Sequence, residues 1–267
     1  MHVFSHTIVR VAVWNLAGFE TISDECVERQ IEGLSLLDAE LVTLVEVKPF
    51  SHMQRLADGL SALGSPYQWK MIQQPVGNLN IGFLYKPAVE LGDPELIAGS
   101  NGTYANGRLA IKTEVKIGKF KAVLIGVHLK SGRGKGPQAT RDTQCAAISA
   151  HIDAIRATPG FTQRTILLMG DFNMIPGQDV SNFHALGGDD VMDFVSCWDL
   201  QDRFSHILAK GRANLLDGFA VSRTFSTDYV RGSLRLFPMH WTLDMGREKY
   251  KEEVSDHLPF VACFRIY

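Results

Sequence analysis

Two periodicities of apolar residues alternate along this chain, the two-residue repeat of strands and the three-to-four-residue repeat of amphipathic helices. Residues 7–14, T-I-V-R-V-A-V-W, form a β-branched run that predicts a first strand ending at Asn15. A helical stretch follows from Ser23 to Leu37, with Val27, Ile31 and Leu34 on one stripe and Ser23 placed to cap it. The run L-V-T-L-V predicts a second buried strand that stops at Glu46. Ser51 then opens a second amphipathic helix with Met53, Leu56, Leu60 and Leu63 along its apolar face.

The middle of the chain is strand-rich. Y-Q-W-K-M-I, N-I-G-F-L-Y, R-L-A-I-K-T-E-V and F-K-A-V-L-I-G-V-H-L are successive short runs, and Val115 to Lys121 predicts a tight hairpin through Gly118. A helix from Ala139 to Ala157 leads to Arg164, Thr165 and I-L-L-M-G-D-F-N-M-I-P-G, residues 166–177. That stretch reads as a strand buried on both faces that breaks at Gly170 and delivers Asp171 and Asn173. Further strands follow in L-L-D-G-F-A-V-S and H-L-P-F-V-A-C-F-R-I-Y. The order of elements recurs loosely in the two halves, with no linker between them. It predicts an α/β chain of two mixed sheets packed face to face with helices outside, as a single domain over residues 1–267.

Bulk properties narrow the picture only a little. Apolar residues make up 45% and charged residues 21%, which suits a soluble globular protein. A net charge of −2 demands no nucleic-acid partner through long-range attraction, although a groove can still be locally basic. Cys26, Cys145, Cys197 and Cys263 are scattered without a C-x-x-C pair, so we expect reduced thiols and a cytoplasmic protein. The N-terminus lacks a basic region followed by an apolar core, no apolar run reaches membrane-spanning length, and the sequon at Asn101 carries no weight. No membrane contact and no obligatory protein partner is expected.

Polar residues stand just beyond strand-like runs at Asn15, Glu46, His128, Asp171 with Asn173, Asp217, and Asp256 with His257. Each alone fits a solvated turn, and Asp217 in Leu-Leu-Asp-Gly fits one especially well. The whole set at strand ends is hard to obtain by chance, because catalytic groups collect at such ends in α/β proteins. In order, W-N-L-A-G-F, L-V-E-V, V-H-L-K-S-G, G-D-F-N, L-L-D-G-F-A-V-S and S-D-H-L-P-F resemble the motifs of the endonuclease/exonuclease/phosphatase superfamily. The resemblance covers nearly the whole chain, from Asn15 to His257. It implies a four-layer α/β sandwich and metal-dependent phosphoester hydrolysis, and leaves the substrate open.

What the resemblance implies for single residues follows the chemistry of that reaction. A hard divalent cation, an oriented water and donors for the phosphoryl oxygens are needed. Glu46 is the expected first ligand for Mg²⁺, with Mn²⁺ as the substitute. Asn15 adds a carbonyl oxygen or holds Glu46 in place, and Asp256 resembles the second metal-side carboxylate. Asp171 is expected to hold or activate the attacking water, and Asn173 to orient that water or donate to the phosphate. Asp217 is expected to fix the tautomer of His257, which steadies phosphoryl charge as imidazolium. His128 stands where apurinic-site endonucleases carry Tyr, so the chain leans away from abasic-site repair. The stretch 77–81 offers only amides where deoxyribonucleases supply a Glu to their second His, which leaves His128 as a phosphate donor.

After His128 comes a glycine-rich basic loop with Lys130, Arg133, Lys135 and Arg141, read as a contact for a polyanion's phosphates. Arg108 resembles another family position near the site. Residues 223–255, with Arg231, Arg235, Trp241 and the run R-E-K-Y-K-E-E, are read first as a loop anchored on its own Phe237 and Trp241, and second as a surface for stacking bases. The expected function is divalent-metal-dependent hydrolysis of a phosphodiester, nucleic acid before others. The rival is a phosphatase or phosphodiesterase for a small or lipid-linked phosphate. A non-catalytic phosphate-binding member would be expected to have lost ligands, and the main set is complete.

Overall fold

The computed structural model describes residues 8–161, 165–187, 192–194, 205–207, 213–222 and 228–266. Thr7, Arg164, Cys197, residues 223–227 and Tyr267 lie outside the described residues. In chain order the elements are β1 (Ile8–Asn15), α1 (Asp24–Leu37), β2 (Leu41–Val47), α2 (Phe50–Ala62), β3 (Gln68–Met71) and β4 (Asn80–Tyr85). The short β5 (Glu90–Leu91) and β6 (Glu95–Leu96) precede the hairpin β7 (Ile111–Ile117) and β8 (Phe120–His128). Next come α3 (Lys135–Arg156), β9 (Thr165–Asp171), α4 (Val180–Ala185), β10 (Met192–Phe194), β11 (His206–Ile207), β12 (Ala213–Asn214) and β13 (Asp217–Ser222). The chain closes with β14 (Arg235–Leu236), α5 (Met239–Thr242), α6 (Arg247–Glu253) and β15 (Phe260–Arg265).

One sheet runs β14-β15-β1-β2-β4-β3 and the other β10-β13-β9-β8-β7-β5, with β6 also on β7 and β11-β12 forming a separate pair. Both are mixed: β1–β2 and β8–β9 are parallel, and their other neighbours antiparallel. The two-residue alternation sorts side chains into three cores between four layers. Val11 and Val13 of β1 meet Leu124 of β8, Met169 of β9 and Phe219 of β13 between the sheets. Ala12 and Trp14, one position away, pack with Val27, Leu34 and Leu56 of α1 and α2. On the other outer face, Ile125, Ile166 and Leu168 pack against Cys145, Ile148 and Ile152 of α3. This is the expected four-layer sandwich.

Local expectations meet mixed outcomes. The Ser23 hydroxyl accepts the Cys26 amide and opens α1 as read. In α2, Met53, Leu56 and Leu60 are buried, but Leu63 lies past the last turn and is 60% exposed. The helix after the basic loop begins at Lys135 rather than Ala139, because Pro137 is tolerated in a first turn, where amide groups have no helical partner. R-E-K-Y-K-E-E is helix α6, with Tyr250 fully buried. Trp241 is 63% exposed, so Met239, Leu243, Met245 and Tyr250 anchor that segment instead of Trp241. Among the described residues no helix is long and apolar enough to cross a membrane.

Gly170 lets the site strand pass its neighbour. Its φ is +149°, and a Cβ built there would lie 2.0 Å from the Val127 carbonyl oxygen of β8. Gly232, with φ +75° and nothing within 4 Å, carries only the backbone penalty. We expect Gly170→Ala to destabilise the chain by at least about 3 kcal/mol and Gly232→Ala by about 1 kcal/mol. Urea unfolding of both variants checks this; equal losses would remove the close approach as the reason for glycine at 170.

Candidate active site

The two sheets bring five strand ends, and the loop that carries His257, to one seam. β1 ends at Asn15, whose Nδ2 donates both to Glu46 Oε1 at 3.3 Å and to Asp171 Oδ2 at 3.1 Å. One amide thus joins a carboxylate of each sheet. Its own oxygen accepts the Ala17 amide at 2.9 Å, so of the two parts read for Asn15 the geometry favours holding. Glu46 sits at a bulge between Val45 and Val47, with φ at +64°. The extra residue turns Val45 toward the other sheet and Val47 toward the helices, and aims Glu46 into the seam.

In the second sheet, register places His128 beside Asp171 and Asp171 beside Asp217. His128 Nε2 is 3.3 Å from Glu46 Oε1 and 3.8 Å from Asp171 Oδ2. Asn80, from the amide-rich stretch, is occupied elsewhere: it accepts the Gln74 amide and donates to the Lys48 carbonyl. His257 Nδ1 lies 2.6 Å from Asp217 Oδ2. The loop carrying it is held from four directions. Its amide donates to the Ser255 hydroxyl at 2.9 Å, that hydroxyl donates to the Asn15 carbonyl at 2.6 Å, and Trp14 and Tyr250 both donate to the His257 carbonyl. Ser205 Oγ accepts the amides of Leu216 and Asp217, fixing the other half of the pair.

Asn173 follows Asp171 with φ at +51°, and its amide donates to Asp171 Oδ1 at 2.8 Å. Its side-chain amide reaches the Leu129 carbonyl at 3.3 Å. Asp256 lies against two histidines: its Oδ2 is 3.2 Å from His206 Nε2 and its Oδ1 3.8 Å from His257 Nε2. His206 was not singled out from the sequence, and no motif there marks it. Ser205 and Asp179 were missed for the same reason, whereas Ser255 opens the motif S-D-H-L-P-F and could have been found there.

The basic residues divide. Arg141 is fully buried and donates to Asp179, Asn182 and the carbonyls of Lys130 and Gly132, so it straps the loop instead of facing a ligand. Arg133 shares Asp179 and the Asn173 carbonyl, yet its side chain is 41% exposed. Arg108 donates to the carbonyls of His128 and Leu129 and props the end of β8. Lys130 lies 5.1 Å from the Tyr104 ring centre, and Lys135 is exposed on the first turn of α3.

Comparison of the whole fold identifies its relatives in shape. A Bacteroides vulgatus endonuclease/exonuclease/phosphatase protein superposes with TM-score 0.69 at 16% identity, covering 98% of this chain and 100% of that one. This chain has the endonuclease/exonuclease/phosphatase fold. The human Nocturnin catalytic domain with bound sulfate matches with TM-score 0.68 at 20% identity, over 98% of this chain and 96% of that one. D. rerio TDP2 complexed with single strand DNA product gives 0.69 at 17%, over 97% and 100%. No family model and no curated protein matches the sequence.

Within this endonuclease/exonuclease/phosphatase fold the seam carries more negative than positive charge. Burial pushes the Asp171 carboxyl up, and the Asp217 charge adds to it, to about 7. Burial works against the charged form of His257 as well, but Asp217, Asp171 and Asp256 outweigh it and raise the imidazole to about 10. Burial together with Arg108 lowers His128 to about 4, so at neutral pH it gives Glu46 a neutral N–H, not a cation. Burial opposes ionisation of Glu46 too, yet the His128 and Asn15 contacts hold it well below the usual carboxylate range.

The pair sets a pH dependence. The folded value for His257, about 10, lies above the ordinary 6.5, so its stabilisation is complete below pH 6.5 and fades as pH rises through 10. In EDTA, NMR titration should find His257 still protonated at about pH 8, with Asp217→Asn lowering its pKa by more than about one unit. Urea midpoints should fall between pH 6.5 and 10, more in the wild type than in Asp217→Asn. A His257 that titrates near its ordinary value in both proteins would contradict the pairing.

Proposed function

We propose that this chain, acting as one domain, is a divalent-metal-dependent phosphodiester hydrolase, with nucleic acid as its first substrate. The observation that carries the reading is the single amide of Asn15 holding Glu46 and Asp171 together across the seam, beside the Asp217–His257 pair. The residues present fit a hard cation. Glu46 and Asp171 offer carboxylate oxygens, the negative charge is in excess, and Asp217 Oδ1 is buried without a partner among the described residues. Glu46 would hold the ion first, with Asp171 and, at the outer edge, Asp256 beside it. When bound, Mg²⁺ or Mn²⁺ would supply charge neutralisation at the phosphoryl oxygens.

The chain's own groups can do the rest. Asp171, with its carboxyl raised to about 7, can take a proton from a water that Asn173 and Asn15 help to place. His257, kept protonated by Asp217, can donate Nε2–H to a phosphoryl oxygen as charge builds there. His128 sits too deep in contact with Glu46 to act as a cation, and serves as a neutral donor. The relatives in shape include a protein holding sulfate, an anion of phosphate's form, and one holding a single strand DNA product. Both support trying single-stranded nucleic acid first.

One observation favours the rival substrate. Of the five basic side chains read as substrate contacts, Arg141 is internal, Arg108 props backbone, and Arg133 is shared with Asp179. Lys130 and Lys135 remain free of carboxylates among the described residues, a thin charge for a long polyanion. Replacing both with Ala separates the substrates. For nucleic acid, KM should rise and its salt dependence flatten, while turnover of bis-(p-nitrophenyl) phosphate stays within about twofold. Unchanged kinetics on every polymer would favour a small or lipid-linked phosphate.

The primary test is a panel of single-stranded DNA, RNA, intact duplex, abasic duplex and bis-(p-nitrophenyl) phosphate, each with Mg²⁺, Mn²⁺ or EDTA. We expect cleavage with either metal, none in EDTA, and no strong preference for the abasic duplex. Glu46→Gln keeps shape and loses charge, and should reduce activity by more than about a hundredfold with folding intact. Full activity of Glu46→Gln at limiting Mg²⁺ would falsify the metal assignment.

A further inference from the structure

His206 and Asp256 gather around His257, and the proposed reaction uses these three side chains only in part. His206 Nε2 is 3.2 Å from one oxygen of Asp256, and His257 Nε2 is 3.8 Å from the other. The two imidazole rings lie 4.7 Å apart, centre to centre. One ligand atom from each residue falls within 4.8 Å of the others. Donors around a tetrahedral ion with bonds of about 2.0–2.1 Å stand roughly 3.3 Å apart. The ligand atoms would have to close by up to about 1.5 Å.

We propose that His206, Asp256 and His257 form a binding site for a zinc-like transition-metal cation, beside the Mg²⁺ position at Glu46 and Asp171 and sharing Asp256 with its outer edge. Ligand chemistry distinguishes the two places. Imidazole nitrogen suits zinc and its neighbours, whereas Mg²⁺ takes carboxylate and water oxygens. Among the described residues, two other clusters could hold an ion, Glu46–His128–Asp171 and Asp171–Asp217–His257; each has a single imidazole. In the second of these, His257 already has Nδ1 against Asp217 at 2.6 Å. That same contact is what a metal-binding histidine needs, because a carboxylate on one ring nitrogen aims the other at the ion.

The backbone places the three ligands in advance. His206 and His257 form an isolated antiparallel bridge, Ile207 N–H donates to the Asp256 carbonyl at 2.7 Å, and Leu258 N–H donates to the Ser205 carbonyl at 2.7 Å. The side chains of His206 and Asp256 are 19% and 30% exposed and that of His257 is 6%, so the site is reached from its His206–Asp256 side. A cation in this site displaces the Nε2 proton of His257 to solvent, so its uptake releases a proton and tightens as pH rises, and the nitrogen then has no N–H for a phosphoryl oxygen. Zinc would therefore inhibit the reaction that Mg²⁺ supports. That consequence rests on the proposed function; the site itself does not.

Calorimetric titration with Zn²⁺ in a large excess of Mg²⁺ tests the site without any substrate. We expect one zinc per chain at micromolar affinity or tighter, weakened at least tenfold in His206→Ala, His206→Gln and Asp256→Asn, and unchanged in Glu46→Gln. Thermal melts without metal establish that each variant is folded. Should the His206 variants fail to fold, the ring NMR signals of the wild type decide: zinc should shift those of His206 and His257 and leave the other histidines alone. No zinc uptake against Mg²⁺, undiminished binding in folded His206 variants, or loss on Glu46→Gln overturns the proposal. A chain that cleaves nothing on the substrate panel yet takes up zinc at His206 fails the phosphoesterase reading alone.

Discussion

Negative charge crowded into the seam between two apolar sheets is the constraint that governs this molecule. Glu46 approaches from one sheet, Asp171 and Asp217 from the other, and Asp256 stands at the rim. Two unit charges about 4 Å apart repel by roughly 4 kcal/mol at an effective dielectric of about 20. Such a cluster persists only where something else holds the strands in place. That is the interface of Val13, Val45, Leu124, Met169 and Phe219, which fixes the strand ends without regard to what they carry. The Asn15 amide, the neutral His128 N–H and the charged His257 then relieve part of the repulsion. What is left unrelieved is the charge that the proposed metal would neutralise.

Backbone distortion concentrates at the same place. Glu46 and Asn173 both have positive φ, and Gly170 passes so near Val127 that no Cβ fits. Glu46 and Asn173 carry the polar groups themselves, and Gly170 directly precedes Asp171. Such conformations cost about 1–3 kcal/mol apiece and survive because the surrounding layers over-determine them. The strap of Arg141, Arg133 and Asp179 serves the same end by a different means. It spends two cations on holding the loop and the Asn173 carbonyl, which leaves fewer for a substrate.

The layered fold was legible because burial writes itself into sequence as periodicity. Val11 and Val13 alternate with Ala12 and Trp14, and the structure puts those two sets in different cores. The ordered motifs from W-N-L-A-G-F to S-D-H-L-P-F carried the resemblance, and the shape comparison agrees with the fold it implied. Legibility failed where a residue's part depends on distant neighbours. Leu63 has the spacing of a core residue but falls beyond the helix end. Arg141 has the composition of a surface contact but finds Asp179, 38 residues away, and goes inside.

The sequence alone determined the alternation of strands and helices, the face each element buries, and which polar types stand at which strand ends. These are local properties, set by a few neighbouring residues and by water. Only the tertiary structure decided which of those strand ends meet. It put one amide between Glu46 and Asp171, which are 125 residues apart (171 − 46), and it paired Asp217 with His257. It also brought His206, which no motif marks, against Asp256 and His257. Contacts of that kind arise from how two sheets pack, and a periodic pattern records that a face is buried without recording against what.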